Sequence, residues 1–210
     1  MTNSLITYRR RAGAALLAGA ALNVAACIVS VASTAGTHVP SDIARAPMTH
    51  DVAIVVYVLA AIAEALFVAG LLWLRRSGLP RARGVWIGLG AVIAGTVLLS
   101  VCNLASIPIE DQLNNSTAAS WVWSGFGVGS LLAVGGMITA GVSISSHTEE
   151  PTWRDHAALI CGLLGLLLIV FQVANIVWLG IVIYSLGYAL LGVAQLTAAR
   201  DRRQAVPQPA

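Results

Sequence analysis

The stretch VVYVLAAIAEALFVAGLLWLRR, residues 55–76, decides the class of fold. It is almost wholly apolar up to Leu74, stops at the arginine pair Arg75 and Arg76, and carries Glu64 near its middle. About 20 such residues cross a hydrocarbon core of about 30 Å as a helix. The stretch therefore predicts a membrane span, and it raises a question: why is a carboxyl group placed where it is hardest to solvate?

The rest of the chain has the same character. Of its 210 residues 58% are hydrophobic and 10% charged, with a mean hydropathy of +0.83. A soluble domain carries about 25% charged residues, so the low charge fraction marks an integral membrane protein. Five further segments match the first, and the predicted spans are 12–33, 52–74, 84–107, 121–144, 157–178 and 180–199. The fold class is thus an all-α integral membrane bundle of six transmembrane helices, occupying 12–199 between a short segment 1–11 and a disordered tail 200–210. NIVWLG separates the last two spans, with Gly180 as the expected breaker and 178–180 as the turn.

Arginine sets the orientation. All twelve basic residues are Arg, and eleven of them flank the same ends of the spans: Arg9, Arg10, Arg11, Arg75, Arg76, Arg81, Arg83, Arg154, Arg200, Arg202 and Arg203. Arg45 alone lies on the other side. By the positive-inside rule both the N and C termini are cytoplasmic, and loops 34–51, 108–120 and 178–180 face outward. A cell membrane, in the pattern of a bacterial inner membrane, is the expected location. VAAC ending at Cys27 has the look of a lipoprotein cleavage site, yet the apolar run continues through IVSVAST, which suits a span better. Cys27, Cys102 and Cys161 all lie in apolar segments and read as small hydrophobes, not as a disulfide or zinc framework. The likeness of VCNLASIPIED to VAQLTAARD is too short to establish a transporter-type repeat.

Within the spans, small and polar residues mark where helices meet, because lipid gives apolar contacts no advantage. Ala61, Ala65 and Ala69, Gly84 and Gly88, and Gly125 and Gly129 have the spacing for close backbone approach or for oligomerisation. Polar stripes follow helical spacing: Gly19, Asn23, Cys27, Ser30 and Thr34; Tyr57 and Glu64; Thr96, Ser100 and Asn103; Gln172 and Asn175; Tyr184, Tyr188 and Gln195. Most lie in the outer half, with Asn23, Glu64, Thr96 and Tyr188 near the midplane. They predict either interhelical hydrogen bonds or an outward-opening polar funnel with Glu64 at its floor.

A carboxylic acid at a helix centre costs about 2.5–3.5 kcal/mol on insertion scales, and its default reading is a functional site. No Arg, Lys or His lies in the spans to pair with Glu64. That leaves a proton, a cationic ligand, or a neutral hydrogen bond to Asn23 or Thr96.

The loops contain no compact metal motif. His38, Asp42, His50 and Asp51 in the first outer loop read as solvated residues, as do His147, Glu149, Glu150 and His156 on the inner side, where Pro151 and Thr152 lead into span five. Glu110 and Asp111 have no basic residue nearby in sequence and could draw cations to the funnel mouth. No metal, no cofactor and no nucleic-acid partner is expected, and no hydrolase, nucleotide-binding or paired-aspartate motif is present. Three functional classes remain. One is a proton- or cation-linked transporter for a small or hydrophobic molecule, using Glu64, Asn23, Tyr57, Thr96, Asn103, Gln172 and Tyr188. Another is a membrane-embedded enzyme acting on a lipid or isoprenoid with Glu64 as general acid, which predicts an opening toward lipid and aromatic lining close to Glu64. The third is a non-catalytic membrane subunit or assembly partner in the lipid bilayer, with the small-residue faces as its interaction surface.

Overall fold

The computed structural model describes residues 2–33, 39–45, 47–174 and 176–204. Thr34, His38, Asn175 and the tail beyond 204 lie outside the described residues. Six long helices account for nearly all the rest: α1 (Thr2–Ser33), α2 (His50–Arg75), α3 (Arg83–Ser106), α4 (Thr117–Ser146), α5 (Trp153–Val173) and α6 (Val177–Gln204), with one 3₁₀ turn at Ile107–Ile109. All six are long and apolar enough to cross a membrane. The protein is a multi-pass membrane protein built as a six-helix bundle.

Several helices outrun their hydrophobic spans. α1 begins at Thr2 and passes through Arg9–Arg11, and α6 continues through Arg200 to Gln204, a stretch expected as tail. Arginine is a good helix former, so a helix once nucleated in lipid extends past the interface with little penalty. The α5–α6 turn is also displaced from its expected place. α5 ends at Val173, where the Ile176 amide donates to the Phe171 carbonyl at 2.9 Å in a Schellman-type closure. Gly180 does not break the chain. It lies inside α6, where a Cβ would come within 2.9 Å of Leu168 Cα, so its missing side chain serves helix contact instead of a turn.

Each helix packs chiefly against its neighbours in sequence, and α1 also packs on α6, which closes a ring. One core fills that ring, drawing on all six helices: Leu16, Phe67, Leu89, Met137, Cys161 and Tyr188 are among its buried members. Outward faces are equally apolar, with Ile28, Ile87, Val128, Leu131 and Leu186 all exposed, as a lipid-facing surface requires.

The tightest seam joins α3 to α4. Gly88 sits against Gly136 and Ala140, and Gly95 against Gly129 and Ala133. Gly84 meets Ser143 and Gly125 meets the Cys102 thiol, so all four glycines singled out by spacing serve this one interface. The alanine stripe of α2 behaves differently: Ala65 is exposed, and α2 approaches α1 instead through Ala63, Phe67 and Gly70, which face Gly19, Leu16 and Ala12. Spacing alone did not separate these two faces, because both are small and apolar.

At the arginine-rich end α5 starts with a capping contact. The Asp155 carboxylate accepts from the Thr152 amide at 2.9 Å and from its hydroxyl at 2.8 Å. Asp155→Ala should lower stability by about 1 kcal/mol, the usual cost of a lost cap, in thermal unfolding of the protein in lipid nanodiscs. An unchanged midpoint would mean that lipid packing alone sets where α5 begins.

Candidate functional site

Glu64 stands near the middle of α2 and is 5% exposed. No hydrogen-bond partner for its Oε2 atom exists among the described residues. From α6 the side chains of Tyr184 and Tyr188 both lie close enough to interact electrostatically with the Glu64 carboxyl. Phe67, three residues on from Glu64 and so on the same side of α2, stacks on Tyr188 with ring centres 4.0 Å apart, and meets Tyr184 edge-on at 6.1 Å.

A line of hydroxyls runs beside the acid. Tyr184 donates to the Tyr188 oxygen at 3.3 Å, Tyr188 is hydrogen-bonded to Thr96, and Thr96 donates to its own helix at the Val92 carbonyl at 2.8 Å. All three side chains are buried. The line thus ties α6 to α3 through the centre of the bundle, with the carboxyl of α2 alongside.

Of the residues proposed from sequence, the structure brings together Glu64, Thr96 and Tyr188. Asn23 is buried on α1, the helix that packs against α2 at this depth through Gly19 and Ala63. Asn103 is half-buried and donates to the Leu99 carbonyl of its own helix at 3.0 Å, and Gln172 is half-buried near the end of α5. Tyr57 is buried in a separate small cluster with Met48 and Ala53 at the arginine-poor end, within electrostatic reach of Glu110. Ser100 donates to the Ala61 carbonyl across the α2–α3 seam at 3.1 Å, an interhelical bond of the kind the polar stripes predict. Phe67 was not foreseen, since an aromatic ring in an apolar span carries no signal of its own. The hydroxyl pair was visible in sequence only as two tyrosines four apart.

The arginine-poor end holds an arrangement that sequence reasoning took for solvated residues. His50 Nδ1 lies 2.7 Å from Glu110 Oε1 and 3.9 Å from Asp111 Oδ2. Asp111, expected to lack a basic neighbour, receives a hydrogen bond from Arg45 Nε at 2.7 Å. Burial pushes the Glu110 carboxyl above the ordinary glutamate range, and its contacts with His50 and Arg45 oppose that rise. On the other face, His156 Nδ1 meets the Ser145 hydroxyl at 2.9 Å and His147 Nδ1 meets the Ser143 carbonyl at 2.9 Å, so the inner histidines are taken up by the ends of the helices.

That same face has a small cavity of about 40 Å³ bordered by Arg9, Arg154, Asp155 and Gln195 among apolar neighbours. Its volume suits a water molecule or two. Gln195, from the polar stripe of the last span, is buried here with its Oε1 atom lacking a hydrogen-bond partner among the described residues.

Compared with known protein families, with curated proteins and with solved structures, the chain finds no match in any of the three.

Proposed function

We propose that this protein is a proton-linked carrier of the cell membrane, moving a small or hydrophobic solute, in which Glu64 takes up and releases the coupling proton. The observation that carries this reading is the buried Oε2 atom of Glu64, which has no hydrogen-bond partner among the described residues. An unsatisfied buried polar atom costs about 1–3 kcal/mol, a penalty that a helix selected for stability alone would shed by replacing the residue with Leu or Met. Thr96, Tyr184 and Tyr188 supply hydroxyls through which a proton can leave the carboxyl, and the spans contain no cation to hold Glu64 in a fixed ion pair. The arginine asymmetry orients this carrier with both termini in the cytoplasm, and a bacterial inner membrane is the proposed location.

A second reading rests on a different observation. Tyr184 and Tyr188 lie beside the acid and pack on Phe67, and such an aromatic cluster suits an enzyme that protonates an isoprenoid or other apolar lipid with Glu64 as general acid.

Carbodiimide labelling of the protein in lipid, across a pH series and with Glu64→Gln as control, tests the shared premise. Such reagents attack a protonated carboxyl that can be reached from an apolar phase. Labelling of Glu64 should fall away as pH rises, and the variant should lose it. Should Glu64 stay unlabelled at every pH while the variant folds equally well, the acid is sealed and both readings fail. Proteoliposomes then separate the two: a carrier moves candidate solutes when a pH gradient is imposed, and an enzyme converts lipid without one.

A further inference from the structure

We infer that His50, Glu110 and Asp111 form a binding site for a divalent transition metal, best suited to Zn²⁺, on the arginine-poor face of the protein. The inference is independent of what Glu64 does. Residues sixty apart in sequence are brought together here by the pairing of two loops. The Ala44 amide donates to the Gln112 carbonyl at 2.9 Å, the Arg45 amide to the Glu110 carbonyl at 3.0 Å and the Asn114 amide to the Asp42 carbonyl at 2.7 Å. Ile43 and Leu113 form an antiparallel bridge between the same segments, and the Asn114 side chain donates to the Ser41 and Ile43 carbonyls. The loop ahead of α2 is thereby clipped to the loop ahead of α4, which sets His50, the first residue of α2, beside Glu110 and Asp111.

One ligand atom from each of the three side chains lies within 4.8 Å of the others. Zinc bonds of about 2.0–2.2 Å in a tetrahedral shell place ligand atoms about 3.5 Å apart, so the set is completed when His50 Nδ1 moves out from its 2.7 Å contact with Glu110 Oε1 and the widest pair draws in by about 1 Å. The His50 and Asp111 side chains are 57% and 64% exposed and free to make that movement, whereas the Glu110 side chain is 4% exposed and fixed. Glu110 also supplies the independent sign of a missing ligand. Its Oε1 atom faces His50, but its Oε2 atom is buried with no hydrogen-bond partner among the described residues, although a carboxylate has lone pairs for several donors.

The donor chemistry selects the metal. An imidazole nitrogen with two carboxylates suits zinc and its transition-metal neighbours, whereas calcium and magnesium favour all-oxygen shells. Arg45 has the position of an outer-shell residue: it holds Asp111 Oδ1 and leaves Oδ2 directed at His50. Three protein ligands leave a fourth position for water at the membrane surface. A bound ion would pin the start of α2, the helix that carries Glu64, to the loop that leads into α4.

The test is zinc titration by calorimetry on the full chain in nanodiscs, with any affinity tag removed. One equivalent should bind saturably. His50→Gln and Asp111→Asn, both changes of exposed side chains, should each weaken it by about 100-fold or more, and Arg45→Gln by about 10–100-fold. Asp51→Asn should leave it unchanged, and millimolar Ca²⁺ or Mg²⁺ should not displace the zinc. X-ray absorption of the zinc-loaded wild type should show nitrogen and oxygen neighbours without sulfur. Absence of saturable binding, equal binding by His50→Gln, or a sulfur neighbour from one of the three cysteines would each overturn the assignment.

Discussion

Gly88→Ala is expected to destabilise the bundle by about 3 kcal/mol, at the upper end of overpacking penalties, although it adds a single methyl group. A Cβ at that position would fall 2.5 Å from the Ala140 nitrogen and 2.6 Å from the Gly136 oxygen. Both are backbone atoms of α4, which no side-chain rotation can move aside. Relief requires the two helices to part, and the second rung then opens as well, because Gly95 is packed as closely: a Cβ there would fall 2.6 Å from the Gly129 oxygen and the Ala133 nitrogen. Helices in lipid hold together by such close packing, since apolar burial favours neither the bundle nor the separated helices. Gly90→Ala is the control. It lies on the same helix two residues away, has open space where its Cβ would go, and should be neutral or slightly stabilising through helix propensity. Unfolding in mixed micelles, read by circular dichroism and by gel mobility, measures both. Equal midpoints for the two variants would show that the α3–α4 seam is not built on glycine contact.

Glu64→Met and Glu64→Gln are expected to abolish the protein's activity, and Glu64→Met should do so while raising stability by about 1–3 kcal/mol. Methionine fills a similar volume, adapts to irregular gaps and removes the unpartnered oxygen. Glutamine keeps the shape and the hydrogen-bonding capacity but cannot exchange a proton, so its stability should stay near that of wild type. Gain of stability with loss of function is the signature of a residue kept for its chemistry. The opposite outcome is equally informative. If Glu64→Met loses more than about 1 kcal/mol, the carboxyl is a structural hydrogen-bond partner. The non-catalytic role would then be the better description of the protein.

Much of this architecture was legible in sequence because it depends on sums over short segments. Six apolar runs of about 20 residues give six helices. Gly84, Gly88, Gly125 and Gly129 announced a close seam because nothing else in a helix allows backbones so near. Glu64 stood out because a charge is conspicuous in an apolar run. Where one small residue looks like another, local reading failed. Ala65 faces outward despite its favourable spacing, and Gly180 is a contact residue where a turn was expected.

The amino-acid sequence by itself determined that this chain crosses the membrane six times, which ends of its helices carry the arginines, and that an acid lies at mid-depth. Only the tertiary structure decided which faces turn inward, because lipid-exposed Ile28, Ile87 and Leu131 are as apolar as buried Leu16 and Leu89, and no hydrophobic pattern separates them. It also decided that Tyr184 and Tyr188 of α6 reach across the ring to the acid of α2, and that His50 meets Glu110 and Asp111. Those meetings depend on how helices pair around a closed ring and how two loops zip together. Pairings of that kind join residues tens of positions apart, and short-range composition carries no record of them.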